Sequence, residues 1–213
     1  MILIAGDSNH DQLWYGDKVK TWISQVDEND ILNVSQAGYG NDQICNAVIK
    51  AVEENDVDRV IVLWSQWYRV LKQPVKLYNR YNELKPLGNS KKFKDWLVFD
   101  QCSDYVTNEN MNRFYLLQSF LKDKNIPYTF YQDLWPWPYL QHEQNLDTAK
   151  AITNHPLYDL IDKDNFWGWP ILPWLGGKYL ANLRVDSLSD TDLHYGQKTH
   201  NLLAKLLMKG VRQ

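Results

Sequence analysis

Hydrophobic positions along this chain fall into short continuous runs separated by stretches with a three-to-four-residue period. Met1–Ala5 is the first run, Ile31–Val34 the second, Val60–Trp64 the third and Tyr128–Tyr131 the fourth. Runs of this length without polar alternation read as strands buried on both faces, the pattern of a parallel sheet covered by helices on two sides. Between the first two runs, Leu13, Val19, Trp22, Ile23 and Val26 predict a helix over 11–26. After the second, Ile44, Ala47, Val48 and Ala51 mark the apolar face of another helix, for which Asn41 or Asp42 is the candidate cap. Phe114, Leu117, Phe120 and Leu121 predict a helix over 110–122, and Leu202, Leu203, Leu206 and Leu207 a closing helix over 196–208. The expected class is α/β: a three-layer α/β/α sandwich with a mostly parallel sheet of about five strands.

Two stretches break this rhythm. Residues 65–100 are irregular, and 72–87 hold two prolines among Lys, Tyr and Asn, which reads as an excursion from the sheet. Residues 134–175 carry Trp135-Pro136-Trp137-Pro138, Trp167-Gly168-Trp169-Pro170 and Pro173-Trp174, a density of Trp and Pro that predicts a lid or long ordered loop packed by its own rings. No repeat, linker or low-complexity tract divides the chain, so 1–213 is expected to be one domain.

Composition sharpens the picture at a few points. Ten Trp and thirteen Tyr in 213 residues serve either an aromatic core or a surface on which a ligand such as a sugar stacks. A formal net charge of −3 with no dense basic block argues against nucleic acid as a partner. Cys45 and Cys102 have neither metal nor redox spacing and read as reduced structural residues of a cytosol-like compartment. Asp7 interrupts the N-terminal apolar run, so no signal peptide is expected, and no run approaches the ~20 residues that span a bilayer. The expectation is a cytoplasmic protein with no membrane partner and no cofactor or metal, since no ligand set has zinc or calcium spacing.

The candidate chemistry lies at the two ends. Gly6-Asp7-Ser8-Asn9 follows the first strand at once, which places the Ser8 hydroxyl where α/β folds bind ligands, beyond the carboxyl ends of the strands. Asp192-Leu193-His194 stands just before the last helix. A serine, a histidine and an acid far apart in sequence suit a triad, which is defined by geometry and not by order. In that reading His194 takes the proton from Ser8 and Asp192 orients the ring, with Asp190 as the reserve acid.

With these residues in place, the chain resembles the SGNH (GDSL-like) hydrolase superfamily, in particular its divergent branch from phage and environmental bacterial genomes. Gly6-Asp7-Ser8 matches the first block, with Ser8 as nucleophile. Asn33-Val34-Ser35-Gln36-Ala37-Gly38-Tyr39-Gly40-Asn41-Asp42 matches the second, with Gly38 as the oxyanion-hole glycine. Asp192-Leu193-His194 matches the last, although the usual spacing is Asp-x-x-His. The third block departs: Leu63-Trp64-Ser65-Gln66-Trp67-Tyr68-Arg69 has no asparagine and resembles a subgroup with Trp-Thr/Ser and a downstream Arg. The resemblance implies a flavodoxin-like fold and a serine esterase that removes O-acyl, typically O-acetyl, groups from a small-molecule or carbohydrate ester. The oxyanion donors it implies are the backbone amides of Ser8 and Gly38, with Asn41, Ser65 or Gln66 as the third.

Alternatives stand beside each residue. Ser8 also suits a helix cap, and His194 a structural loop position. His200 suits packing better than catalysis. Arg69 suits either an ion pair with Asp7 or Asp192 or contact with an anionic substrate group. Trp167 and Trp169 are either core or sugar platform. His10 and His142 have no evident partners. Competing functions on the same fold are a non-catalytic glycan-binding or virion-associated protein and an O-acyltransferase using the same serine.

Overall fold

A computed structural model of the chain describes residues 1–26, 31–67, 103–134 and 149–209. Five strands form its centre: β1 (Ile2–Ala5), β2 (Ile31–Asn33), β3 (Arg59–Trp64), β4 (Tyr128–Gln132) and β5 (Phe166–Trp167). They lie in the order β2-β1-β3-β4-β5, and every pairing is parallel. This is the flavodoxin-like order, in which the strand sequence reverses between β1 and β3 and opens a crevice at their carboxyl ends.

Alternation along each strand sends side chains into two separate cores. Leu3, Ala5, Val60, Val62, Trp64 and Phe130 meet Ile44, Cys45, Val48 and Ala51 of α2 (Asn41–Glu54) and Val106, Met111, Phe114, Leu117 and Leu121 of α3 (Ser103–Asp123). Ile4, Ile61, Leu63 and Tyr131 face the other way, against Trp22, Ile23, Leu180, Tyr195 and the α4 residues Leu203 and Leu207 (α4, Gln197–Lys209). The result is the expected three-layer α/β/α sandwich. Cys45 is buried in the first core, and burial pushes its thiol up to about 11, with Arg113 opposing, so it stays an inert thiol; Cys102 lies outside the described residues.

The helix expected over 11–26 is instead a single turn, α1 (Gln12–Tyr15), followed by a 3-10 turn at Ile23–Gln25. Asp11 caps α1 by accepting from the Leu13 amide at 2.9 Å, and Gly16 ends it at φ 54°, a left-handed conformation that glycine alone takes at low cost. The Gln12 side chain then holds the non-helical course: its amide donates to the Gly16 and Val19 carbonyls at 2.8 and 3.0 Å, and its oxygen accepts from the Thr21 amide at 2.9 Å. Leu13, assigned to the apolar face, is 92% exposed. The cap of α2 is Gly40, not Asn41 or Asp42, and the Gln43 side chain accepts from its amide at 2.9 Å.

The Trp- and Pro-rich stretch holds a strand in its described part. Residues 149–175 form an ordered segment in which Trp169 packs on Phe166 and Tyr158, and they also supply β5, the sheet edge, whose Phe166 pairs with Phe130 and Trp167 with Tyr131. Residues 135–148 of that stretch, and 68–102 with Arg69, lie outside the described residues.

Asp162 ties this edge to the body. Its carboxylate accepts from the Tyr128 hydroxyl at 2.9 Å and the Asn165 amide at 3.2 Å, and pairs with Lys122 at 2.7 Å. Burial raises its pKa, but these donors together outweigh burial and hold it at about 2. A carboxyl depressed in the folded state adds stability above its unfolded pKa of about 4 and loses it as pH falls toward the folded value. Denaturation midpoints measured between neutral pH and pH 2 should therefore fall less steeply in Asp162→Asn, which starts lower, than in the wild type. Parallel curves would exclude Asp162 from the acid response.

Candidate active site

Ser8 sits in the turn that leaves β1, immediately beyond Ala5, and is buried at the carboxyl edge of the sheet. Asp7 pins this turn from within: one carboxylate oxygen accepts from the Asn9 amide at 3.0 Å and the other from the Ser65 hydroxyl at 2.7 Å. Asn9 and Asp7 are thus internal braces on either side of Ser8.

The last loop meets it. Ser187 bridges Tyr195 in antiparallel fashion, and the Leu188 amide donates to the His194 carbonyl at 3.0 Å, so residues 187–195 form a closed loop. Asp186 anchors its base by accepting from the Lys198 and Thr199 amides at 3.0 and 2.8 Å at the start of α4. Within the loop, one oxygen of Asp192 accepts from the His194 backbone amide at 3.2 Å and from ring Nδ1 at 2.5 Å. This turn explains why an acid two residues before the histidine reaches the ring. A carboxylate only accepts, so Nδ1 donates to Asp192, and in the neutral ring Nε2 is then the acceptor. Nε2 lies 2.8 Å from the Ser8 hydroxyl oxygen. The structure thus aligns Asp192, His194 and Ser8 in one chain of hydrogen bonds. Asp190 is exposed, and the Nδ1 contact goes to Asp192.

The loop after β2 is tied alongside the serine turn. The Val34 amide donates to Ile4, that of Gln36 to Gly6 at 3.3 Å, and that of Ala37 to the Asp11 carboxylate at 2.9 Å. Gly38 stands in this loop at φ 87°, where a side chain would strain the backbone. Two of the three candidates for a further oxyanion donor do not fit. Asn41 is buried, and its amide donates to the Ser65 carbonyl at 3.2 Å and to Asn110 at 2.7 Å while its oxygen accepts from the Ser65 amide at 2.7 Å. It is a core bracket between β3, α2 and α3. The Ser65 hydroxyl proton is committed to Asp7. Gln66 is half-buried on the turn after β3 and remains a candidate.

The two tryptophans proposed as a platform belong to packing at the sheet edge. Trp167 lies against Tyr131 at 5.8 Å with Lys178 over its ring at 4.4 Å, and Trp169 packs on Phe166 and Tyr158 at 5.2 and 5.7 Å. β5 is three strands from β1, about 14 Å at the usual spacing. A ring that does stand at the site is Trp14, 45% exposed and 5.3 Å from the His194 imidazole, with the buried Tyr15 ring edge-on to that imidazole at 6.2 Å. It was hidden in the stretch assigned to the helix over 11–26.

Beneath the pair lies a buried polar cluster that sequence reading missed. Asp133, directly after β4, accepts from the Asn9 side-chain amide at 3.0 Å and from the Tyr195 hydroxyl at 2.7 Å. His10 accepts from the Trp22 indole at 2.9 Å through Nδ1, which leaves its neutral ring protonated on Nε2, 3.2 Å from an Asp133 oxygen. Asp7, His10 and Asp133 bring one ligand-type atom each within 4.8 Å of one another, but both carboxylates are already engaged by protein donors. His200 is buried, accepts from the Trp22 amide at 3.3 Å and packs on Tyr15 at 5.0 Å, so it is a core residue, as expected. Burial, with His10 alongside, pushes its imidazole down to about 3 against the pull of Asp186. Among the described residues, no helix is long and apolar enough to cross a membrane.

No protein-family model matches the chain, and no curated protein matches it in sequence. Solved structures do match in shape. Esterase EstA from Pseudoalteromonas sp. superposes with a TM-score of 0.58 at 12% identity, over 99% of this chain and 96% of its own. Axe2, an acetyl-xylooligosaccharide esterase from Geobacillus stearothermophilus, superposes with a TM-score of 0.51 at 13% identity, over 98% of this chain and 92% of its own. The chain therefore shares the fold of these two esterases, the α/β/α architecture that its motifs led one to expect.

Proposed function

We propose that this chain is a serine esterase that cleaves carboxylic esters through Ser8, His194 and Asp192. The observation that carries the reading is the pair of contacts, 2.5 and 2.8 Å, that joins three residues from opposite ends of the chain. Ser8 Oγ attacks the ester carbonyl as its proton passes to His194 Nε2, and Asp192 compensates the imidazolium. The C–O bond to the alcohol then breaks, and His194 returns the proton to the departing alkoxide oxygen. Water attacks the acyl-serine with the same histidine as base, releasing the acid and restoring Ser8. The amides of Ser8 and Gly38 hold the oxyanion, with Gln66 the remaining side-chain candidate.

For substrate, we infer an O-acetyl group on a carbohydrate. Trp14 offers a half-exposed ring beside His194, the kind of face on which a sugar packs, and Axe2 acts on acetylated xylo-oligosaccharides. Acetate release from acetylated xylo-oligosaccharides should exceed that from p-nitrophenyl acetate in kcat/KM, and Trp14→Ala should remove the difference. Equal use of both substrates would refute the carbohydrate assignment. The missing asparagine after β3 favours a second reading, in which hydrolysis is weak because losing one oxyanion donor costs about 10²–10³ in rate. Transfer of acetyl to an added sugar in preference to water would mark an acyltransferase, and sugar binding without turnover a non-catalytic protein.

A further inference from the structure

Ser8 and His194 come from loops 186 residues apart, yet their reacting atoms stand at 2.8 Å. Something must hold two loops at that distance. The residue after the nucleophile, Asn9, and the residue after the base, Tyr195, both end on the same buried side chain. Asn9 Nδ2 donates to one oxygen of Asp133 at 3.0 Å, and the Tyr195 hydroxyl donates to the other at 2.7 Å. Asp133 is itself immobilised: its amide donates to the Trp64 carbonyl at 2.8 Å at the end of β3, and its carbonyl accepts from the Ala181 amide at 2.9 Å. Beside the Ser8–His194 contact itself, the Tyr195 amide reaches the Asn9 oxygen directly, but at a longer 3.4 Å.

We propose that Asp133 is a positioning residue for the Ser8–His194 pair, one carboxylate oxygen holding the nucleophile's turn and the other the base's loop. The assignment rests on the esterase reading above for its kinetic consequence, but not for its geometry. A carboxylate suits the task because both neighbours donate and it has no proton to compete with theirs. Burial and the charge of Asp133 push the Tyr195 hydroxyl well above its usual pKa, which keeps it a donor. The clasp lies wholly beneath the site, so it leaves substrate contacts alone and acts on alignment, where a displacement of about 1 Å is worth about 10² in rate.

The test compares Asp133→Ala, Asp133→Asn and Tyr195→Phe with the wild type on p-nitrophenyl acetate, below the melting transition of each. Asp133→Ala should lower kcat by about 10²-fold with KM little changed. Asp133→Asn should recover part of that loss, because Asn9 can turn its amide to pair with it. Tyr195→Phe, which frees one arm, should lose less than Asp133→Ala. Nitrogen NMR of the His194 ring reads the same geometry without turnover: the Nε2 shift in Asp133→Ala should move to the value found in Ser8→Ala. A folded Asp133→Ala protein with wild-type kcat and a wild-type Nε2 shift would overturn the clasp. A wild type without esterase activity would overturn the catalytic reading alone, and the Nε2 shift would then decide on Asp133.

Discussion

Ser8→Ala should reduce kcat for a simple ester by about 10⁴–10⁶-fold while leaving the fold intact. The serine oxygen lies 2.8 Å from His194 Nε2, and its removal takes away the nucleophile whose proton the imidazole would accept. The side chain is small and set in a turn held by Asp7 and Asn9, so the melting temperature should hardly move. His194→Ala should cost a comparable factor, and the double variant should be no worse than either single one, because the two residues act as one unit. Asp192→Ala should cost less than either. Its carboxylate is 41% exposed, and water can replace part of what it gives the ring. Turnover at matched folding, with all four variants side by side, checks this ordering. Additive losses in the double variant would mean that Ser8 and His194 work separately.

Phe114→Ala should be the most damaging substitution away from the site, by about 3–5 kcal/mol. Its ring is fully buried at the junction of β3, α3 and β5, with Trp64 at 4.9 Å, Phe166 at 5.2 Å and Trp67 at 5.7 Å. Removing it opens a cavity walled by rigid indoles and a second phenyl ring, which relax poorly into the space. Leu13→Ala, by contrast, should stay within about 0.5 kcal/mol because the side chain is already in water. Urea unfolding followed by tryptophan fluorescence separates the two cases. A Phe114→Ala protein as stable as Leu13→Ala would show that the α3 core is not where the fold holds itself together.

The parts of this fold that were legible in sequence are those where one local rule acts alone. β1 to β4 are continuous apolar runs because both faces of each strand are covered, and they appear within a residue or so of where the runs predict them. α3 and α4 keep a helical apolar face, but α3 begins at Ser103, ahead of the predicted Asn110. Asn110 looks like a boundary residue in sequence; in the fold its side chain is satisfied by Asn41, Trp67 and Val106, so a polar residue sits inside the core helix. β5 was invisible because two residues between the half-buried Asn165 and Gly168 carry no periodicity. The helix over 11–26 failed because Gly16 and the side chain of Gln12 together outbid a weak helical pattern.

The site divides in the same way. Ser8, Asp192 and His194 were legible as motifs, since Gly-Asp-Ser after a first strand and Asp-x-His before a last helix are local patterns. Asn41 and Ser65 looked like oxyanion donors because their side chains can donate, and only the long-range pairing with Asn110 and Asp7 shows that they are spent. Asp133 left one signal: a carboxylate directly after a buried strand stands at the carboxyl edge of the sheet, where ligand crevices form. The apolar run ends at Tyr131, two residues short of Asp133, so hydrophobic pattern alone does not bring it out.

The most direct measurement of the central claim is covalent labelling with a fluorophosphonate probe, followed by mass spectrometry of the adduct. The phosphonyl group forms a bond to a serine oxygen only where a base takes the proton and the fluoride departs. The account gives one adduct, on Ser8, formed in the wild type and far more slowly in His194→Ala. A folded wild-type chain that carries no adduct, or carries it on another residue, would contradict the assignment of Ser8 as the nucleophile.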